Sequence, residues 1–246
     1  MCPYIYIVLP SYAVMACIGG FAILIFTYFR LEKYKIQFTY FLKLFLISAI
    51  ACFIGSKILF ILTQLPELFG NFSFQNAVNL ILQSGFVFYG GLLGVIFALY
   101  LYTRKDKELQ NRVIKLIVPA IPLFHAFGRI GCLLAGCCYG KEIEPHFTIG
   151  NFVEFSRIPI PLFESIFEFL IFGIILIIER KKPNCDTLAI YLISYAVFRF
   201  CNEFFRGDEI RGIFFGLSTS QWISLFIVIF YVFRFIAKRK KTVKDN

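Results

Sequence analysis

Charged side chains are scarce in this chain. Of its 246 residues only 16% are charged and two are histidines, whereas 59% are hydrophobic and 19% are aromatic. Soluble globular domains have about 45–50% apolar and about 25% charged residues. The chain therefore has more apolar surface than a protein surrounded by water can bury. This composition excludes a soluble enzyme, a disordered chain and a collagen-like or coiled-coil fibre.

Long, uninterrupted apolar runs take up most of the sequence. Each is close to the roughly 20 residues that a membrane-spanning helix needs, and none alternates in the way that β-barrel strands do. We therefore predict an all-α membrane protein, a single domain over residues 1–246 with seven transmembrane helices. Outer-face loops or short helices would occupy residues 63–84, 132–158 and 206–220. The predicted spans are residues 6–29, 39–62, 85–103, 113–131, 159–178, 187–205 and 221–236.

Basic residues are distributed unevenly between the two sets of connecting segments. Counted together with the adjoining ends of the spans, one set carries 18 of the 25 lysines and arginines and the other set carries five, whereas Lys57 and Arg199 lie deeper inside spans. The positive-inside rule then predicts an N-terminus outside and a C-terminus in the cytoplasm. The net charge of +10 follows from this bias and suits an anionic bilayer surface. We expect the lipid bilayer as a partner and no nucleic acid.

The ionisable groups that stand out inside the predicted spans fall in the outer half of the bilayer, and the inner half of the spans is nearly free of such groups. Such groups are costly in hydrocarbon unless they line a cavity or pair with one another. Scattered structural ion pairs would not segregate by depth, so we predict one polar cavity that opens towards the outer leaflet. Its candidate lining residues are Tyr12, Lys57, Tyr89, His125, Arg129, Glu164, Glu168, Tyr195, Arg199 and Glu203.

The sixth predicted span has the sharpest local pattern. Spacings of three and four place five polar residues in one stripe on a helix. The alternative is that the stripe contains one internal Arg–Glu pair that only fixes helix packing. The stripe lies at the same depth in the bilayer as charged residues on other spans, and this favours a functional site. The stripe consists of Tyr195, Arg199, Asn202, Glu203 and Arg206.

Three cations in the predicted cavity, Lys57, Arg129 and Arg199, suggest an anionic ligand. Guanidinium groups contact phosphate in a bidentate manner, and the head group of an anionic lipid can enter such a cavity laterally. Glycines at 19–20, at 90, 91 and 94, and at 128 and 131 would let helices approach closely or break near the outer surface.

Seven short motifs follow one another along the chain. They are Tyr12 in the first span, Gly55-Ser-Lys57, Phe88-Tyr-Gly-Gly-Leu-Leu-Gly94, Gly128-Arg-Ile-Gly-Cys132 through Gly140, Pro159-Ile-Pro-Leu-Phe-Glu164, the stripe from Tyr195 to Arg206 and Ser218-Thr-Ser-Gln221. No single motif is specific, but all of them in this order resemble the motifs of the prolipoprotein diacylglyceryl transferase family, and the likeness covers most of the chain. The fourth is similar to the family signature, and the sixth is similar to the family's Tyr-x-x-x-Arg-x-x-x-Glu-x-x-Arg motif.

The resemblance implies a multi-pass enzyme of the bacterial cytoplasmic membrane that needs no cofactor and no metal. It would transfer the diacylglyceryl group of phosphatidylglycerol to the lipobox cysteine of prolipoprotein signal peptides and release glycerol 1-phosphate. Arg129 and Arg199 would hold the phosphate and stabilise the leaving group. Glu164 and Glu203 would orient these arginines. Tyr12, Lys57, Gly128 and Tyr195 would contact substrate.

The sequence departs from the family pattern at several positions. Lys57 replaces an arginine, Cys132 replaces an asparagine, and Cys137 stands where the family often has glutamate. Tyr89 replaces the histidine that is the usual candidate base. Because a tyrosine with a pKa near 10 is a poor base at neutral pH, His125, one helical turn before Arg129, is the natural substitute. A packing or capping role at a helix end is the alternative for His125.

Cys132, Cys137 and Cys138 form the only cysteine cluster in the sequence. Small residues in a tight turn and a disulfide on the oxidising outer side are the first two interpretations. A metal or thiol-relay site ranks third, because the spacing lacks a CxxC pair or a nearby His–carboxylate set.

Three other functions compete with the transferase. The departures at Tyr89 and Cys132 allow a related transferase with another acceptor. A non-enzymatic lipid or small-molecule transporter should have ionisable groups along a whole path, which the inner half lacks. A membrane thiol oxidoreductase would depend on the three clustered cysteines.

Overall fold

The computed structural model describes residues 4–5, 9–70, 88–149, 153–207 and 213–244. Within these ranges helices dominate, and the strands form three short antiparallel ribbons, β1–β2, β3–β4 and β5–β6. In chain order the elements are β1 (Tyr4–Ile5), β2 (Leu9–Pro10), α1 (Ser11–Tyr28), α2 (Phe38–Gly70), α3 (Phe88–Thr103), α4 (Lys107–Ile117), α5 (Ala120–Ala135), β3 (Glu142–Ile149), β4 (Val153–Arg157), α6 (Ile160–Lys181), α7 (Thr187–Asn202), a 3-10 turn (Glu203–Phe205), β5 (Ile213–Phe214), β6 (Leu217–Ser218) and α8 (Thr219–Lys244).

Six helical segments of the described chain are long and apolar enough to cross a membrane, and a shorter apolar helix, Gly90–Thr103, lies where the third span was predicted. The prediction of an all-α, multi-pass membrane protein is therefore confirmed. The N-terminus-out orientation remains a prediction. The six segments are Ser11–Tyr28, Phe38–Leu62, Lys107–Ala135, Ile160–Lys181, Thr187–Phe205 and Thr219–Ala237.

The fourth predicted span, residues 113–131, differs from the structure in its start and its continuity. The helical segment begins at Lys107, and it is divided into α4 and α5 around Val118 and Pro119. Proline lacks the N–H that would continue the α-helical ladder. A tighter turn replaces the α-helical hydrogen bonding at this point, and in it the N–H of Ile121 donates to the carbonyl of Val118 at 3.2 Å.

The helices expose apolar side chains and bury polar ones. Phe21, Phe53 and Phe226 are each more than 60% exposed, whereas Glu164 and Glu168 are completely buried. In water this pattern would be unstable, but in a bilayer the exposed phenyl rings contact lipid chains and the polar groups must be satisfied within the protein. The buried carboxylates therefore mark the interior that the helices enclose.

The chain divides into two compact units. The first comprises Met1–Phe29 and Lys115–Asn246, and the second comprises Arg30–Ile114. In the first unit α5 packs between α1 and α6, and α7 packs against α8. Phe26 of α1 meets Phe172 of α6 edge to face at 5.1 Å between ring centroids. These contacts bring α5, α6 and α7 together around the buried carboxylates.

In the second unit α2 and α3 pack against each other through glycines. A Cβ atom at Gly90 would lie 2.3 Å from the carbonyl oxygen of Gly55, and one at Gly94 would lie 2.4 Å from that of Ala51. Backbones at this separation leave no room for a side chain. The predicted close approach at glycines 90, 91 and 94 is confirmed.

Candidate active site

Glu164 is the centre of the candidate site. Pro159 and Pro161 mark the start of α6, and Glu164 follows in the second turn with its side chain fully buried. One carboxylate oxygen, Oε2, lies 2.7 Å from Nε of Arg129 on α5. The other, Oε1, is paired with Nη1 of Arg199 on α7 and accepts a hydrogen bond from Nδ2 of Asn202 at 3.3 Å. A single carboxylate thus links three helices.

Arg199 makes a second ion pair and a further hydrogen bond. Its Nη2 lies 2.9 Å from Oε2 of Glu203, which is four residues later in the 3-10 turn that follows α7, and it donates to the hydroxyl of Ser220 at 3.3 Å. Arg199, Asn202, Glu203 and Arg206 are all at most 8% exposed. Four of the five residues of the predicted stripe are therefore buried, Tyr195 is half-buried, and the suggested contacts of Glu164 and Glu203 with the arginines are present.

Ser220 is held beside Arg199 by a capping box at the start of α8. The N–H of Ser218 donates to the side-chain oxygen of Gln221 at 2.9 Å, and the N–H of Gln221 donates to the hydroxyl of Ser218 at 3.3 Å. This reciprocal arrangement satisfies donors that the first turn of a helix leaves unpaired. The Ser218–Gln221 motif thus fixes the position of a partner of Arg199.

Arg129 keeps part of its guanidinium group available. Its side chain is 16% exposed, and its contacts with Glu164 and His125, within the part of the chain that the structure describes, both involve Nε. The two terminal nitrogens of a guanidinium form the fork that receives a phosphate or carboxylate. The arrangement can thus hold an anion while Glu164 neutralises part of the buried positive charge, which would otherwise be costly.

His125 and Glu168 form a second polar pair. Nδ1 of His125 lies 2.7 Å from Oε1 of Glu168, while Nε2 accepts a hydrogen bond from Nε of Arg129 at 3.3 Å. In a neutral imidazole these contacts require the proton on Nδ1 and a lone pair on Nε2. The ring also meets Tyr195 edge to face at 5.2 Å. His125 lies within α5 and not at its end, so the helix-end alternative is wrong.

The sequence places Glu168 among the predicted cavity residues but indicates no catalytic or binding role for it. Its completely buried carboxylate belongs to the site through His125, and the hydroxyl of Tyr191 lies beside it. The i,i+4 spacing from Glu164 places the two carboxylates on one face of α6. This four-residue spacing is the feature of the sequence that indicates a shared site for Glu164 and Glu168.

Tyr12 and Gly128 occupy the edge of the first unit's site. Tyr12 is 49% exposed, and its ring would lie 3.1 Å from a Cβ at Gly131. A Cβ at Gly128 or Gly20 would meet nothing within 4 Å. The predicted close helix approach is therefore wrong at these two glycines and confirmed at Gly131. Gly128 leaves open space next to Arg129.

Lys57 and Tyr89 belong to the second unit. Lys57 is half-buried on α2, and its ammonium lies 5.2 Å from the ring centroid of Phe60. Tyr89 lies in the first turn of α3, and its side chain is outside the described part of the chain. Their predicted place in the same cavity as Arg129 remains a prediction.

The sulfur atoms of Cys132, Cys137 and Cys138 lie within 4.8 Å of one another. All three are free thiols in this structure. Hydrogen bonds from the thiols of Cys132 and Cys137, together with the charges of Arg129 and Arg206, hold the pKa of Cys138 below its ordinary value. The cluster is directly adjacent to the arginine site.

Comparison with known proteins gives a consistent result. The sequence profile described as prolipoprotein diacylglyceryl transferase matches residues 4–237. A phosphatidylglycerol–prolipoprotein diacylglyceryl transferase of Clostridium tetani is 35% identical over 92% of this chain and 91% of its own length. One of Clostridium perfringens is 36% identical over 75% and 73%, and one of Helicobacter pylori is 28% identical over 87% and 82%. The chain belongs to the prolipoprotein diacylglyceryl transferase family.

Proposed function

We propose that this protein transfers the diacylglyceryl group of phosphatidylglycerol to the lipobox cysteine of prolipoprotein signal peptides, in the bacterial cytoplasmic membrane. Family membership and the names of its relatives support the reaction class and the substrates. The observation that carries the proposal is the bridging of Arg129 and Arg199 by the buried carboxylate of Glu164.

This bridge creates an anion site of defined geometry. Glu164 holds the guanidinium of Arg129 through Nε, so the terminal nitrogens can face the phosphate of the lipid head group. Glu164, Glu203 and Ser220 restrain the side chain of Arg199. Its positive charge therefore stays close to the proposed phosphate position beside Arg129. Preorganised cations of this kind stabilise negative charge that develops in a transition state.

His125 is the proposed general base. Glu168 at 2.7 Å orients the ring and stabilises the imidazolium, in the manner of carboxylate–histidine pairs elsewhere. Nε2 carries the lone pair that would receive the thiol proton. In the resting arrangement this lone pair accepts from Arg129, so movement of Arg129 towards a bound phosphate would free the base when the lipid arrives.

The reaction balances without a cofactor. The lipobox thiol loses its proton to His125, and its sulfur attacks the carbon of the diacylglyceryl group that is bonded to the phosphate oxygen. A sulfur–carbon bond forms, the carbon–oxygen bond breaks, and glycerol 1-phosphate leaves with the electron pair. Arg129 and Arg199 neutralise the charge on this leaving group. The proton on His125 then returns to solvent or product.

The test is a transfer assay with the purified protein in lipid nanodiscs. A lipobox peptide and phosphatidylglycerol labelled in one acyl chain should yield a peptide heavier by one diacylglyceryl group and equimolar glycerol phosphate. A matched lipobox peptide with Ser in place of Cys should remain unmodified. Absence of the product, under conditions in which the Clostridium tetani relative forms it, would contradict the proposal.

A further inference from the structure

The cluster of Cys132, Cys137 and Cys138 lies outside the chemistry proposed above. Its three sulfurs are mutually within 4.8 Å. Since a zinc–thiolate bond is about 2.3 Å, three sulfurs around one such ion lie about 4 Å apart, which is compatible with sulfurs that all lie within 4.8 Å of one another. A disulfide would join two of these sulfurs and leave the third without a role, whereas the geometry brings all three to one point.

The local backbone is arranged to gather these sulfurs. Helix α5 ends in a Schellman motif, with Gly136 in the left-handed conformation at φ 74° and its N–H bonded to the carbonyl of Leu133. The N–H of Cys137 donates to the carbonyl of Cys132 at 3.1 Å. This turn folds Cys137 back over the last turn of the helix, next to Cys132.

Cys138 is itself in the left-handed region, at φ 59°. A residue with a Cβ rarely adopts this conformation, and where it does the surrounding structure must enforce it. Backbone hydrogen bonds to two other segments hold the residues that follow Cys138. The N–H of Gly140 donates to the carbonyl of Ile158 at 2.8 Å, and that of Lys141 donates to the carbonyl of Phe205 at 2.9 Å.

The surroundings also suit several thiolates. Arg129 and Arg206 both act on Cys138 with positive charge, and Arg206 is buried. Three thiolates around a divalent cation carry a net charge of −1, and around a monovalent cation −2, so nearby arginines lower the cost of burying the complex. Soft thiolate ligands select Zn²⁺ and Cu⁺ over harder cations.

We propose that Cys132, Cys137 and Cys138 together bind one thiophilic metal ion of the Zn²⁺ or Cu⁺ class. The ion would tie the C-terminal end of α5, which carries Arg129, to the chain that leads to Gly140. Its role is to hold this end of the helix, and it takes no part in the transfer step. The proposal is therefore independent of the proposed function.

The test uses Cd²⁺ as a spectroscopic probe on the full-length protein in detergent, reduced and stripped with a chelator. We expect one Cd²⁺ per chain with ultraviolet thiolate-to-metal charge transfer. A C132S/C137S/C138S variant should lose this band, whereas Cys201→Ser, which alters an exposed free thiol, should keep it. Charge transfer retained by the triple variant, or a disulfide within the cluster in protein purified without reductant, would overturn the proposal.

A second measurement avoids dependence on a variant that fails to fold. The wild-type protein is alkylated with and without bound Zn²⁺, and the modified cysteines are mapped by mass spectrometry. We expect the metal to slow alkylation of Cys137 and Cys138 at least tenfold and to leave Cys201 unaffected. Equal alkylation of Cys137 and Cys138 in both samples would contradict the site, whatever the transfer assay gives.

Discussion

Nε of Arg129 and Oε2 of Glu164 lie 2.7 Å apart in a buried ion pair that joins α5 to α6. Because the other oxygen of Glu164 is paired with Arg199 on α7, the positions of both arginines depend on one carboxylate. A site of this kind is rigid before substrate arrives, so less reorganisation is needed when charge develops on the leaving phosphate. This relationship determines the predictions that follow.

Replacing Glu164 should damage both stability and activity. Glu164→Gln leaves two buried guanidinium groups without their shared counter-ion, and removal of one partner from a buried pair costs about 3–5 kcal/mol. We expect a lower midpoint of thermal unfolding in detergent and a loss of transfer activity. Glu142→Gln is the matched control, since its carboxylate is 73% exposed and is paired with the partly exposed Arg157. An unchanged midpoint for Glu164→Gln would contradict the bridging role.

The identity of the base can be decided by a pair of substitutions. His125→Asn should lower kcat about 10²–10⁴-fold, the usual contribution of general-base catalysis. Tyr89→Phe removes only a hydroxyl, and it should retain most of the activity if His125 is the base. Steady-state rates with the lipobox peptide test both variants. The reverse ranking, a severe loss with Tyr89→Phe and a mild one with His125→Asn, would assign the base to Tyr89.

Glu168 should act through His125. Glu168→Gln keeps the shape of the side chain but removes the charge that stabilises the imidazolium, so kcat should fall while KM for phosphatidylglycerol stays nearly constant. The loss should be smaller than that of His125→Asn, and the double variant should be no worse than His125→Asn alone, because residues that act as a unit are not additive. Additive losses would place Glu168 in a separate role.

Gly128 offers a test of the open space beside Arg129. Because a Cβ there would meet nothing within 4 Å, Gly128→Ala should leave thermal stability unchanged within about 0.5 kcal/mol. If substrate occupies that space, KM for phosphatidylglycerol should rise. Gly173→Ala is the control, as it also adds a methyl group in open space but lies further along α6. Equal kinetics for the two variants would remove Gly128 from the substrate site.

The sequence predicts the structure best where the residues of a pattern all lie in one helix. The apolar runs predicted the spanning helices, and the three- and four-residue spacings predicted that Arg199, Asn202 and Glu203 share a face. It was less informative wherever two distant elements meet. The pairing of His125 with Glu168 depends on how α5 packs on α6. The residue spacing within either helix does not reveal this packing.

The cysteine cluster and the helix break have a similar explanation. Gathering three sulfurs requires Cys138 in a left-handed conformation that an L-residue disfavours, and no spacing rule anticipates it. The chain has prolines at 119 and 122, where an α-helix can break, but the end of α4 at Ile117 depends on tertiary packing. Helix ends are in general less predictable than helix positions.

The most direct test of the anion site formed by Arg129 and Arg199 is an assay of three arginine variants in nanodiscs. The assay measures the release of glycerol phosphate from phosphatidylglycerol. Arg129→Ala and Arg199→Ala should each lower kcat/KM at least 100-fold, in the range found for loss of one transition-state donor. Arg234→Ala, which removes an exposed guanidinium paired with Asp186, should release glycerol phosphate at the wild-type rate. Wild-type rates for Arg129→Ala and Arg199→Ala would contradict the account.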